Sequence, residues 1–194
     1  MTDAPTATPA RFRDRTISFD GIAGRNIDIP SASPLNYHQV ISKPSDMPPV
    51  TVDGKLFLPA SSAKRLPLVM IVPGSLGVAP SHVAHAESLA RAGFASFVLD
   101  SFGARGVTST VANQTQFSFA ASAYDVLAAF KVLSALPEID ATRIGAQGHS
   151  RGGSAVLTAA TRRFADGVIG KGAGLCGVLA AYPWSGHQFL DPAV

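Results

Sequence analysis

The segment best suited to chemistry is Gly148-His149-Ser150-Arg151-Gly152, which matches the pattern G-x-S-x-G. A serine hydroxyl becomes an acyl-attacking nucleophile when a sharp strand-to-helix turn lifts it above the ends of the strands. There the positive end of the following helix favours a developing anion. Small residues on both sides are a steric requirement of so tight a turn. The surrounding residues fit: 143–147 reads as a short strand, and Gly153-Ser154-Ala155-Val156-Leu157 opens a helix. The plainer reading, a glycine-rich turn whose serine caps a helix, lacks a reason for glycine at both flanks. Ser150 is therefore the catalytic candidate.

Such a nucleophile needs two backbone N–H groups aimed at the oxyanion of the tetrahedral intermediate. The residue after the serine supplies one, here Arg151, and the loop after an earlier strand supplies the other. That loop is Pro73-Gly74-Ser75-Leu76-Gly77, and Ser75 N–H is the expected second donor, with Leu76 its neighbour.

These pieces have to be positioned by a scaffold, and the chain after Lys64 reads as one. Apolar runs at 66–72, 94–99, 143–147 and 175–182 are bounded by glycine or proline, and the three gaps between them carry helical periodicity. A helix capped by Ser81 ends at Gly93, a second spans about 117–136 and stops at Pro137, and a third runs from the serine turn to about Phe164. Alternating β and α elements of this kind make a mostly parallel sheet flanked by helices, an α/β fold. Before Lys64 the pattern is irregular and β-like at 16–19 and 50–52, with prolines at 30, 34, 44, 48 and 49 that suit short or edge strands. Residues 1–15 read as a flexible arm and 16–194 as one domain.

The series Val72-Pro73-Gly74-Ser75-Leu76-Gly77, Leu99-Asp100-Ser101-Phe102-Gly103-Ala104-Arg105-Gly106, Asp140-Ala141-Thr142-Arg143-Ile144-Gly145 and Gly148-His149-Ser150-Arg151-Gly152-Gly153 resembles the dienelactone hydrolase-like branch of the α/β-hydrolase superfamily, over roughly residues 50–185. Pro73 stands where the family usually has histidine, and Ser150 where dienelactone hydrolase itself has cysteine. The resemblance implies a serine hydrolase of carboxylic esters or related acyl bonds, working through an acyl-enzyme at Ser150 without metal or organic cofactor. It also implies a small-molecule ester as the partner. Arg105 lies in a loop where related enzymes place substrate-contacting groups. It either pairs with a substrate carboxylate or bonds loop carbonyls.

Serine activation further requires a base and an acid that orients it, following in the order Ser, Asp or Glu, His. After Tyr182 the candidates are His187 and Asp191, in reversed order and with no strand between them. The expectation is a C-terminally incomplete hydrolase domain that is impaired by itself, and that self-associates or is complemented by a further segment. A non-catalytic binding or assembly module on the same fold is the alternative.

Other chemistries find less support. Gly172-Ala173-Gly174-Leu175-Cys176-Gly177 has the dinucleotide spacing G-x-G-x-x-G but runs into a strand rather than a helix. His82, His85 and Glu87 have ligand-like spacing with no further cluster, and the two histidines read as surface or partly buried residues. Cys176, alone, forms no internal disulfide and reads as a small buried hydrophobe. With 194 residues, 46% of them hydrophobic and 15% charged, the chain can bury one core and is no disordered segment. Its net charge of +3 is dispersed, which disfavours nucleic acid. No apolar run approaches the ~20 residues of a membrane span, and the N-terminus has no secretory pattern, so a cytoplasmic location is the default.

Overall fold

A computed structural model describes residues 11–59 and 65–184. Among the described residues eight strands form two sheets. The first two, β1 (Ser18–Phe19) and β2 (Ile22–Ala23), make a small antiparallel hairpin. The other six are β3 (Arg25–Ala32), β4 (Pro49–Phe57), β5 (Leu66–Val72), β6 (Ala95–Asp100), β7 (Ile139–His149) and β8 (Val178–Ala181), in the spatial order β3-β4-β6-β5-β7-β8. The pairs β3–β4 and β4–β6 are antiparallel, whereas β6–β5, β5–β7 and β7–β8 are parallel. The expected mostly parallel α/β sheet is thus present, with an antiparallel wing that carries Pro30 on its outer strand. There a missing N–H removes no bond from a central ladder.

The helices are α1 (Tyr37–Ser42), α2 (Pro80–Arg91), α3 (Phe119–Ser134), α4 (Arg151–Ala160) and α5 (Arg162–Ile169). Successive strand residues point to opposite faces, and both faces are covered. Leu56, Met70 and Phe97 join the larger core under α3, α4 and α5. Their neighbours Phe57, Ile71 and Val98 join a smaller one with Ala86 of α2 and Phe12. This two-sided burial explains why the central strands read as continuous apolar runs.

Several sequence expectations shift. Residues 12–14 form a short 3-10 turn with Phe12 buried, so the packed body begins by Arg11, within the segment expected to be a flexible arm. Ala79, not Ser81, precedes α2, and the Nδ1 atom of His82 accepts the Ala79 N–H at 2.9 Å in place of a serine cap. Strand β7 starts earlier than the apolar pattern shows. Asp140 makes the polar run regular by accepting from Thr142 and from Arg143 Nε, and these bonds pull its carboxyl down to about 2. The helix after Ser150 breaks at Thr161, whose extended backbone ends α4 and starts α5. Strand β8 is shorter than the 175–182 run, and Cys176 is exposed rather than a buried hydrophobe, just outside the strand.

Candidate active site

Ser150 sits at the carboxyl end of β7 and caps the N-terminus of α4, with φ 51° and ψ −118°. That conformation costs a non-glycine residue on the order of 1–3 kcal/mol and persists only where its surroundings over-determine it. The surroundings here are backbone. A Cβ on Gly148 would lie 2.2 Å from the Gly152 carbonyl oxygen, and one on Gly152 would lie 2.1 Å from that of Val72. Glycine at these two positions is thus a packing necessity. It brings the first turn of α4 against the end of β5 and leaves the serine exposed. The Ser150 N–H donates to the Ala181 carbonyl at 2.9 Å, so β8 also holds the turn.

The loop after β5 closes on the same point. Gly77 N–H donates to the Gly74 carbonyl at 3.0 Å, and Gly77 takes φ 72°, making a tight turn with Ser75 and Leu76 at its centre. That hydrogen bond uses neither the Ser75 nor the Leu76 N–H. A Cβ on Gly74 would stand 3.5 Å from the Ser150 Cβ, so the loop and the serine are direct neighbours. The Ser75 carbonyl is pinned from behind by Thr110 N–H at 2.7 Å. Arg151 N–H opens α4 beside the serine. Arg151 thus follows Ser150 at the start of α4, and Ser75 follows the Gly74 that touches it.

The Arg151 side chain has a role the motif does not announce. Only 1% exposed, it donates from Nε to Ser122 Oγ, from Nη1 to the Gln114 carbonyl, and from Nη2 to the carbonyls of Phe117 and Ser118. The guanidinium also lies over the rings of Phe117 and Phe119, at 4.4 and 4.3 Å. Burial lowers its pKa to about 10, which still leaves it charged at neutral pH. One residue thus offers its amide to the site and uses its side chain to clamp the 114–118 segment.

Arg105 takes the second of its two readings. Its terminal nitrogens form a two-pronged ion pair with Asp125 (2.7 and 3.1 Å), and they also donate to the carbonyls of Ser101 and Ala32. Nε donates to Ser33 Oγ at 3.1 Å. Each guanidinium nitrogen is engaged, both terminal ones twice, so no N–H remains for a substrate carboxylate. Sequence reading did not single out Asp125, but it carried a signal: a lone carboxylate inside the apolar helix 119–134 needs a buried cation.

His149 packs among other rings. Its ring lies 5.5 Å from that of His85, 6.4 Å from that of His82 and 6.1 Å from that of Tyr182. His85 also meets Gln147, with Nδ1 3.2 Å from Nε2. His82 is buried, not superficial, and burial lowers its pKa. Among the described residues no group of three or more His, Cys, Asp or Glu side chains could hold a metal ion, and none gives the Ser150 hydroxyl a histidine partner. His187 and Asp191 lie outside the described residues. Nor does the 172–177 glycine run open a helix; it leads into β8. Among the described residues no helix is long and apolar enough to cross a membrane.

A sheet of this order with a serine turn at the end of β7 defines an α/β-hydrolase-type architecture. The model of the dienelactone hydrolase family matches residues 52–171, and the chain belongs to that family. No curated protein sequence matches it at a significant level. Among solved structures, a putative dienelactone hydrolase from Klebsiella pneumoniae superposes with a TM-score of 0.56 at 16% identity, covering 82% of this chain and 60% of that one. A bacterial heroin esterase gives 0.58 at 20% identity, with 87% and 46% covered. Est1E from Butyrivibrio proteoclasticus gives 0.55 at 20% identity, with 73% and 50% covered. At these identities the likeness is one of fold, and the chain spans about half to three-fifths of the length of these proteins.

Proposed function

We propose that this chain carries the nucleophilic part of a serine-dependent hydrolase of carboxylic esters or related acyl bonds. In this reading Ser150 Oγ gives up its proton to a base and attacks the carbonyl carbon. The Ser75 and Arg151 N–H groups bind the resulting oxyanion, the alcohol departs with a proton, and water releases the acid from the acyl-enzyme. The observation that carries it is the positive φ of an exposed Ser150, sustained by glycines that touch backbone on both sides. A mere helix cap needs no such strain. Family membership and the presence of an esterase among the structural neighbours agree with the reaction class. Among the described residues no histidine or carboxylate bonds the Ser150 hydroxyl, and the base of this reading is left to the rest of the protein.

A fluorophosphonate probe tests the proposal. It should label one site, and mass spectrometry should place the adduct on the peptide containing Ser150. Ser150→Ala should abolish labelling while the protein stays folded. Equal labelling of the alanine variant would refute the assignment.

A further inference from the structure

A cavity of about 980 Å³ opens at the carboxyl end of β3, beside the start of α3. Its walls include Pro34, Leu35, Val50, Phe117, Phe119 and Trp184. Ser150 is not in the lining, yet two wall residues each stand one hydrogen bond from its neighbours. Gln114 Oε1 accepts from Ser75 Oγ at 3.1 Å, on the oxyanion loop. The Trp184 carbonyl accepts from Ser154 Oγ at 2.7 Å, one turn after Ser150 in α4. Arg151 fixes the wall between them by clamping the carbonyls of 114, 117 and 118.

The cavity's charge state follows from the same bonds. Arg105 is the permanently charged group of the lining, and its nitrogens are spent on Asp125, Ser33 and two carbonyls. Arg151, behind Phe117 and Phe119, is likewise spent on Ser122 and three carbonyls. An anionic ligand would lose its hydration and gain no ion pair from either arginine, leaving the exposed His38 imidazole at the rim as the one other cationic group of the lining, whereas an uncharged apolar group would shed water against aromatic and aliphatic walls.

We infer that this cavity holds the non-reacting part of the substrate, and that this part is an uncharged aryl or branched alkyl group rather than a carboxylate. The inference rests on Ser150 being the nucleophile. It deepens that reading by naming the substrate class: neutral apolar esters.

The sole tryptophan, Trp184, lies in the wall and reports on occupancy. The 194-residue protein is titrated with 3-phenylpropanamide and with 3-phenylpropanoate, matched in shape but not in charge, while Trp184 emission is followed. The amide should produce a saturable change and bind at least ~10-fold more tightly than the carboxylate. Leu35→Glu, at an exposed wall position, should weaken amide binding ~5-fold or more while leaving the far-UV circular dichroism unchanged. Saturating amide should also slow fluorophosphonate labelling of Ser150. Equal or tighter binding of the carboxylate would overturn the inference, as would amide binding that leaves labelling untouched. Labelling of Ser150 with no amide binding sinks the cavity but not the nucleophile. Selective amide binding with no labelling removes the hydrolase reading and leaves a pocket for neutral ligands.

Discussion

The turn around Ser150 and the strand beside it, β8, are adjacent yet built differently. The turn is pressed into the end of β5 by glycines that leave no room for a methyl group. It is backed by an arginine with 1% of its surface exposed. Strand β8 has four residues, none of them fully buried, with Leu179 59% exposed and Tyr182, just beyond, 80% exposed. Its hold on the turn is the ladder with β7, the bond from Ser150 N–H to Ala181, and a looser backbone approach at Gly153, where a Cβ would stand 3.1 Å from the Ala181 carbonyl oxygen. The strained Ser150 thus depends chiefly on dense backbone packing from one side, with a lighter tie from the other. Steric contacts fix a dihedral angle more stringently than an exposed hydrogen bond does, because they rise steeply and water cannot replace them.

The sharpest way to break this contrast is to add one methyl group on each side. Gly152→Ala should cost about 3 kcal/mol or more in urea unfolding, since its Cβ would press into the Val72 carbonyl. Gly177→Ala, at the entry to β8 with nothing within 4 Å, should change stability by no more than ~0.5 kcal/mol. Equal costs would show that packing does not distinguish the two. A second test relieves strain instead of adding it. Ser150→Gly should raise stability by about 1 kcal/mol, the relaxed positive φ outweighing glycine's extra chain entropy, while fluorophosphonate labelling disappears. A loss of stability would mean that Ser150 is unstrained.

The third test uses pH. His82 is kept neutral in the folded protein by burial, and its Nδ1 accepts the Ala79 N–H that starts α2. The unfolded chain takes up a proton near pH 6.5, before the folded one does, so unfolding is favoured as pH falls through that value. The denaturation midpoint should therefore drop between pH 7.5 and 5, and His82→Asn, which can accept the same bond without titrating, should flatten the drop. Unchanged pH dependence in the variant would assign the effect elsewhere. β8 itself contains no titratable side chain. The smallest effect belongs to its surface: Leu179→Lys should move stability by less than ~0.5 kcal/mol but reduce self-association measured by light scattering. An unchanged associated fraction would exclude this strand as the contact.

The scaffold was legible to the extent that one-dimensional patterns report on it. Strands β5 and β6 stood out because burial on both faces makes continuous apolar runs, and α3 because its stripe repeats at helical spacing. Strand β3 escaped notice. Its exposed Arg25, Asn26 and Asp28 belong to the outer edge of the sheet, where water rather than a core meets one side. Strand β7 was read too short because Asp140-Ala141-Thr142-Arg143 resembles a loop until the hydrogen bonds of Asp140 are seen. Within the site, Ser150 and its glycines were readable, since the turn's sterics are local. The bonds of Gln114 to Ser75 and Arg151 were not, because they join residues more than thirty positions apart in sequence.

The sequence alone established a glycine-flanked serine between a strand and a helix, a glycine-bearing loop to face it, and an α/β alternation to carry both. Each is a matter of local backbone conformation or periodic burial, which composition and spacing record directly. Tertiary structure decided what the charged and aromatic residues do. A guanidinium has the same formula whether it meets a substrate or a buried aspartate. The fold around Arg105 and Arg151 consumed both of them and left a largely apolar cavity whose wall bonds to the neighbours of Ser150.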